Sequence, residues 1–367
     1  MDRAATPEGT ARYARRFAAR CAEGHFRPGQ GLVLSSIGLG TYLGEHDEKT
    51  DRLYAEALRL SLESGSNVVD TAVNYRFQRS ERVIGEVLER MFSAGEPARE
   101  EVFVCTKGGY LSFDGAPPRD ARAWFEQTFV RPGVARFEDV VAGCHCMTPR
   151  YLRHQLETSL RNLRLSTVDL YYLHNPETQL AEVGRDEFAR RIRAAFEEME
   201  DRAADGSVRW YGVATWNAFR AKPEAREYVS LAELVAIARE VAGEGHRFRF
   251  VQLPFNLAMP EAWTLRNQEV DGTRYSPLEA ASRLGLTVVT SAPLLQGRLS
   301  RGLPTALARA FSGLETDAQR ALQFARSAPG VTTALVGMKR PEHVRENLAT
   351  ARVPPLAPEL FRSFFEG

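Results

Sequence analysis

A strand-like run followed by a helix-like run recurs eight times along this chain, and that alternation restricts the fold more than any other feature. The strand-like runs are "GLVLSSIGLGTYLG" (Gly31–Gly44), "NVVD", "EVFVCTK", "VDLYYLH", "VRWYGVAT", "FRFVQLPF", "LTVVTSAP" and "TTALVG". Each is short, β-branched and nearly continuously apolar, as strands covered on both faces must be. The segments between them carry apolar residues at helical spacing, as in "KTDRLYAEALRLSLESG", where Tyr54, Ala57, Leu58 and Leu62 recur on one face and Gly65 is a stop. In "TPRYLRHQLETSLRNL", Pro149 stands in the first turn behind Thr148 as cap. Eight such units predict an α/β fold, a single (β/α)8 TIM barrel, over residues 31–350. An N-terminal extension (1–30) precedes it and a short tail (351–367) follows. The length of 367 residues suits one barrel as well as two ordinary domains, and no linker interrupts the alternation.

In a barrel of this kind chemistry gathers at the carboxyl ends of the strands. Asp70 ends the second strand, Lys107 the third and His174 the fourth, while Tyr75 lies on the loop leaving the second. Each alone is readily a helix cap, a surface lysine or a satisfied rim histidine. Together on one rim they form a catalytic set. An ammonium beside a phenol is expected to lower its pKa. Lys107 can supply that charge and Asp70 can hold Lys107, so Tyr75 is read as a general acid. His174, as a neutral donor, would orient a carbonyl oxygen. Such a set suits carbonyl reduction by hydride from a nicotinamide.

Charge excludes other classes. The 48 basic and 47 acidic residues nearly cancel, which gives no electrostatic case for nucleic acid or an anionic membrane. Four cysteines are too few for a disulfide scaffold, and no apolar run is long enough to span a bilayer. Arg12, Arg15, Arg16 and Arg20 among alanines read as an amphipathic helix, docked rather than cleaved. A cytoplasmic protein is expected.

About forty residues separate Lys107 from the helix at Pro149, and a loop that long is usually functional. We read it as a substrate lid. Trp124, Phe125 and Phe129 are its candidate pocket walls, or else a small satellite core. Trp216 and the loop from Pro254 to Ser276, with Trp263 and Arg266, are further candidates. "CHC" at Cys144–Cys146 invites a metal reading, but adjacent ligands point apart and no metal is assigned.

The motifs "GLGTY", "DTAVNYRFQRSERVIGEVL", "VCTKGG", "DLYYLHNP", "YGVATWN", "VQLPFNL" and "ALVGMKRPEHVRENL" occur in that order. Over about residues 31–350 they resemble the aldo-keto reductase superfamily. The resemblance implies the tetrad Asp70, Tyr75, Lys107 and His174, and NADPH, less often NADH, bound in an extended pose over the barrel mouth. It implies contacts from Gly40, Thr41 and Tyr42 beside the nicotinamide ribose, and from Asp70. Thr215 and Gln252 would hold the carboxamide, and Leu294, Gly297 and Leu299 the pyrophosphate. Gly337, Lys339, Arg340, His343, Glu346 and Asn347 would form the adenosine side, with Lys339 and Arg340 on the 2′-phosphate. The substrate would be a small carbonyl compound or sugar. Oxidation of a sugar or alcohol on the same site is the alternative, and a cofactor-bound sensor with little turnover is a third. The chain departs from the family pattern at Ala214-Thr215, at Ser291-Ala292, where the family's frequent aromatic platform is missing, at His343 and at Arg76-Phe77-Gln78-Arg79, where many members have glycines.

Overall fold

The structure is a computed structural model that describes residues 4–366. Its barrel strands are β1 (Ile37–Gly40), β2 (Val68–Asp70), β3 (Phe103–Gly108), β4 (Val168–His174), β5 (Val208–Ala214), β6 (Phe248–Pro254), β7 (Thr287–Ser291) and β8 (Val331–Gly337). The helices that return the chain are α1 (Glu48–Glu63), α2 (Arg79–Ala94), α3 (Pro149–Leu163), α4 (Arg185–Ala204), α5 (Leu231–Ala242), α6 (Pro277–Arg283), α7 (Asp317–Ser327) and α8 (Pro341–Ala349). The strands pair in sequence order, and β8 closes on β1. All eight pairings are parallel, so the expected (β/α)8 barrel is what the chain forms.

Each strand divides its side chains between two cores, because successive residues face opposite sides of a strand. Val68, Phe103, Cys105, Leu170, Tyr172, Trp210 and Phe250 pack together inside the barrel. Their neighbours Val69, Val104, Tyr171, Leu173, Tyr211, Val213 and Val251 pack outward against the helices. The inward rows then continue by two. Asp70 follows Val68, Lys107 follows Cys105, and His174 follows Tyr172. The same period that fills the barrel therefore carries these three polar side chains inward at its mouth.

The opposite end is sealed. The first strand-like run does not form one strand, as its sequence suggested. Leu32–Ser35 pairs antiparallel with Phe26–Gly29 as a hairpin, and β1 begins only at Ile37. Leu32, Leu34 and Ala5 join the inner core from below. The turn of this hairpin lies at Gln30-Gly31, six residues before β1. A helix at Pro7–Phe17 docks alongside with Tyr13 and Phe17 buried. Its Arg12 and Arg16 bind the buried Glu101 carboxylate at 2.9 and 2.7 Å. The Ala5 backbone N–H donates to Asp169 at 2.6 Å, and Arg209 binds the Ala5 carbonyl.

The tail carries a short helix at Pro358–Ser363. Its Phe361 is buried, with its ring 5.2 Å from that of Phe324. No helix among the described residues is long and apolar enough to cross a membrane.

Candidate active site

Asp70, Lys107, Tyr75 and His174 meet at the barrel mouth. The Lys107 ammonium is fully buried and makes an ion pair with Asp70 Oδ1, and it donates to the Thr71 carbonyl at 2.9 Å. It also lies 4.8 Å from the Tyr75 ring centroid. The Tyr75 ring meets that of His174 edge-on at 5.8 Å. Asp70 Oδ2 accepts from Gln252 Nε2 at 2.9 Å. Gln252 faces inward two residues beyond Phe250, and the sequence reading, which assigned it to a carboxamide, missed this bond.

Burial opposes every charge here, and the partners decide the outcome. It pulls the Lys107 pKa down, but Asp70 and Tyr75 outweigh it and leave the pKa raised, so the ammonium persists. For Asp70, burial raises the pKa against the pull of Lys107 and Gln252. For Tyr75 the expected direction is overturned. Burial raises the phenol pKa by more than Lys107 lowers it, with Asp70 opposing Lys107. The phenol is thus protonated at neutral pH, the state a proton donor needs. His174 is pushed well below its usual value by burial and by the nearby Lys107 charge. It is neutral, and its Nδ1 is buried without a partner.

The segment after Tyr75 is a left-handed turn. Arg76, Phe77 and Gln78 have φ of 50°, 54° and 71°. Side chains hold this unfavourable backbone. The buried Arg76 guanidinium donates to Glu45 O at 2.6 Å and Asp47 O at 3.2 Å, between β1 and α1, and to Asp51 Oδ1 at 2.6 Å in the first turn of α1. Phe77 lies between the rings of His46 and Phe113, at 5.1 and 6.0 Å. Gln78 donates to the Phe113 carbonyl at 3.2 Å and accepts from Asn162 at 3.1 Å. The turn therefore ties the first loop, the long loop after β3 and α3 together around Tyr75.

Around the mouth, Gly40 and Thr41 lie where β1 ends, with the Thr41 hydroxyl 3.1 Å from the Asp70 carbonyl. Tyr42 and Trp216 stay exposed on the rim, at 56% and 40%, and the Tyr42 ring meets that of Tyr75 at 5.1 Å. Thr215, at the end of β5, is buried and its Oγ1 has no partner. Leu294, Gly297 and Leu299 lie on a loop after β7 that makes one tight turn at Leu295–Gly297. Gly337 ends β8, and Lys339, Arg340, His343, Glu346 and Asn347 follow on the approach to α8 and along it. Arg340 and His343 are exposed. Lys339 reaches back toward Gly44, where an added Cβ would lie 3.3 Å from its Nζ. Asn347 is buried, with its Oδ1 unpaired.

The long loop takes the second of its two expected forms, a satellite core. Phe125 does not line the cleft beside Trp124, and Phe129 only borders it. They are buried with Ala135, Cys146 and Tyr151 in a satellite core. Trp124 covers this core edge-on to Phe113 and Phe129, at 4.7 and 5.2 Å, and borders a cleft of about 320 Å³ between the loop, α2 and α3. Cys146 faces the satellite core while His145 turns toward His174. A residue that the sequence reading passed over is Glu177, three beyond His174. It is buried and accepts from the Trp216 and Asn217 backbone N–H groups at 3.1 and 3.4 Å. Burial raises its pKa to about 7 against those bonds. Its only sequence signal is an acid just past a strand end.

The model of the aldo/keto reductase family matches residues 36–302. The chain belongs to this family. As an aldo/keto reductase family oxidoreductase, it is 24% identical over 346 residues to "Uncharacterized oxidoreductase YqkF" of Bacillus subtilis, covering 89% of this chain and 90% of that one. It is 26% identical to a 6-dehydroglucose reductase of Novosphingobium aromaticivorans, over 74% of this chain and 68% of that one. An aldo/keto reductase from Klebsiella pneumoniae, solved with NADP and acetate, superposes with a TM-score of 0.61 at 22% identity, covering 94% and 95% of the two chains. A glycerol dehydrogenase from Gluconobacter oxydans superposes with a TM-score of 0.63 at 20% identity, again over 94% and 95%.

Proposed function

We propose that this family member reduces an aldehyde or ketone to the alcohol with NADPH, and that Tyr75 is the proton donor. The observation that carries the reading is the buried Lys107–Asp70 ion pair beneath the Tyr75 ring, with neutral His174 beside it. The nicotinamide would supply hydride to the carbonyl carbon. Tyr75 would give its phenolic proton to the carbonyl oxygen. Lys107 would stabilise the resulting phenolate, and Asp70 would keep Lys107 charged and in place. His174 would orient the oxygen.

Residues along the rim fit such a cofactor. Thr215 Oγ1 and Asn347 Oδ1 are buried polar atoms without partners, a costly state that a ligand amide or base would relieve. The one covers the barrel mouth and the other the α8 side. Lys339 and Arg340 would hold the 2′-phosphate, and the NADP complex of the Klebsiella relative supports the same choice. The raised Tyr75 pKa keeps the phenol protonated, the form from which the proposed reduction would start.

Titration with NADPH and NADH, followed by a screen of aldehydes, ketones and sugars with both cofactors, tests the reading. NADPH binding with turnover of carbonyl compounds is expected, and absence of binding by either cofactor overturns it. Lys339→Ala with Arg340→Ala should weaken NADPH by roughly 10-fold or more and NADH hardly at all. An equal loss for both removes the phosphate assignment.

A further inference from the structure

We infer that His145, on the long loop after β3, is a positioning residue for His174, with its ring proton fixed on Nε2 by a chain of hydrogen bonds that begins at Arg191 on α4. The inference rests on the proposed reduction only in so far as it assigns His174 a role in turnover.

The chain can be read in one direction only. A guanidinium donates and cannot accept. Arg191 NH1 bonds Gln179 Oε1, so the oxygen of that buried amide must face Arg191 and its NH2 must face away. Gln179 Nε2 then lies 2.8 Å from His145 Nδ1 as a donor, which makes Nδ1 the acceptor. A neutral imidazole with an accepting Nδ1 carries its proton on Nε2. His145 Nε2 lies 2.8 Å from the His174 carbonyl, to which it donates. Glu187, at 2.8 Å from Arg191 Nε, holds the head of the chain. Burial pushes the His145 pKa down to about 4, in keeping with a neutral ring.

The acceptor is a strand-end carbonyl that the barrel leaves short of a partner. Pairing of β3 with β4 ends at Gly108 and Leu173. The first amide beyond β3, that of Gly109, donates to Gln155 Oε1 at 2.7 Å instead of continuing the ladder. Directly beyond His174 the backbone reverses, with Asn175 at φ 48°. His145 takes the place of the missing ladder donor at the residue where the strand gives way to a turn. The side chain is held as well. The Tyr110 ring stands perpendicular to both His145 and His174, at 5.2 and 5.1 Å. Gly109 leaves the room for this contact, since an added Cβ would lie 2.7 Å from His145 Nε2. The loop thus reaches the catalytic histidine through its backbone and its ring face at once.

Nitrogen NMR of the full-length protein and kinetics of variants test this together. His145 should show an unprotonated Nδ1 and a protonated Nε2 from pH 6 to 8, with the assignment made by loss of its signals in His145→Gln. The opposite tautomer overturns the inference. His145→Leu should lower kcat roughly 10- to 100-fold, as displaced catalytic groups do, while NADPH affinity stays unchanged. His145→Gln, whose amide can donate to the same carbonyl, should restore most of the loss. Arg191→Leu frees the Gln179 amide to turn over and should give a mixture of His145 tautomers without unfolding the core. An unchanged kcat in His145→Leu overturns the inference. If the wild-type protein reduces no carbonyl compound, the proposed function fails by itself. The positioning role is then decided by the His174 ring resonances, which should shift or broaden in His145→Leu, and unchanged resonances overturn it.

Discussion

The inward ends of β2, β3 and β4 and the left-handed turn at residues 76–78 meet around Tyr75 and are held by opposite means. At the strand ends the backbone is ordinary. Asp70 and Lys107 point inward because their strands alternate, and burial then forces them to pair. In the turn the backbone is the unfavourable part. Three non-glycine residues sit at positive φ, and the side chains of Arg76, Phe77 and Gln78 hold them there. One region uses regular backbone to place reactive side chains, whereas the other uses side chains to maintain irregular backbone. Tyr75 lies at their junction and depends on both.

Substitutions separate the two. The largest effect is expected from Tyr75→Phe, which should lower turnover about 10²- to 10⁴-fold, the range of general acid catalysis, with cofactor binding intact. Retained turnover in single-turnover measurements would show that the proton comes from elsewhere. Lys107→Met should come next, because it strands the buried Asp70 carboxylate. Unfolding in denaturant should show a loss of about 3–5 kcal/mol, and a neutral result would mean that the strand ends do not depend on their ion pair. Arg76→Ala should cost about 2 kcal/mol through its hydrogen bonds to the first loop. It should also raise hydrogen exchange in residues 43–47 and leave that of β2 and β3 unchanged. Protection lost in the strands as well would abolish the distinction between the two regions.

The smallest effect concerns pH. Glu177 has a folded pKa of about 7 against an ordinary 4.5. Below 4.5 both states hold the proton and nothing is lost. Between these values the unfolded chain releases it while the folded chain keeps it. Stability therefore falls as pH rises through this window and levels off above it. Glu177→Gln should remove this slope, seen as a pH-dependent difference in Tm from the wild type. A constant difference would mean that the carboxyl beneath Trp216 does not titrate in the window.

The same contrast explains what could be read from the sequence. Period-two alternation is local, so the barrel and the inward placement of Asp70, Lys107 and His174 were legible before any contact was known. Tyr75 was legible as well, on the loop leaving β2, and the resemblance added the cofactor contacts. Effects that depend on distant segments were not legible. The direction of the Tyr75 pKa required knowing how much its burial outweighs one ammonium. The Gln252 bond to Asp70 joins β6 to β2 across the barrel. Phe125 and Phe129 face a satellite core because of how the long loop folds back on Tyr151, which no periodicity records. "GLVLSS" has the pattern of a barrel strand, and only its partner, Phe26–Gly29, shows that it belongs to a hairpin.

The sealed lower end has a consequence for traffic. Phe103, Trp210 and Phe250 fill the barrel, and Ala5, Leu32 and Leu34 close it from beneath. The space above Asp70 and Lys107 is therefore a dead end. Whatever reaches it must leave by the door it entered, and whatever lies across that door detains what is behind it. A cofactor and a substrate bound there as proposed would have to enter and leave in turn, over the rim that carries the exposed Tyr42 and Trp216.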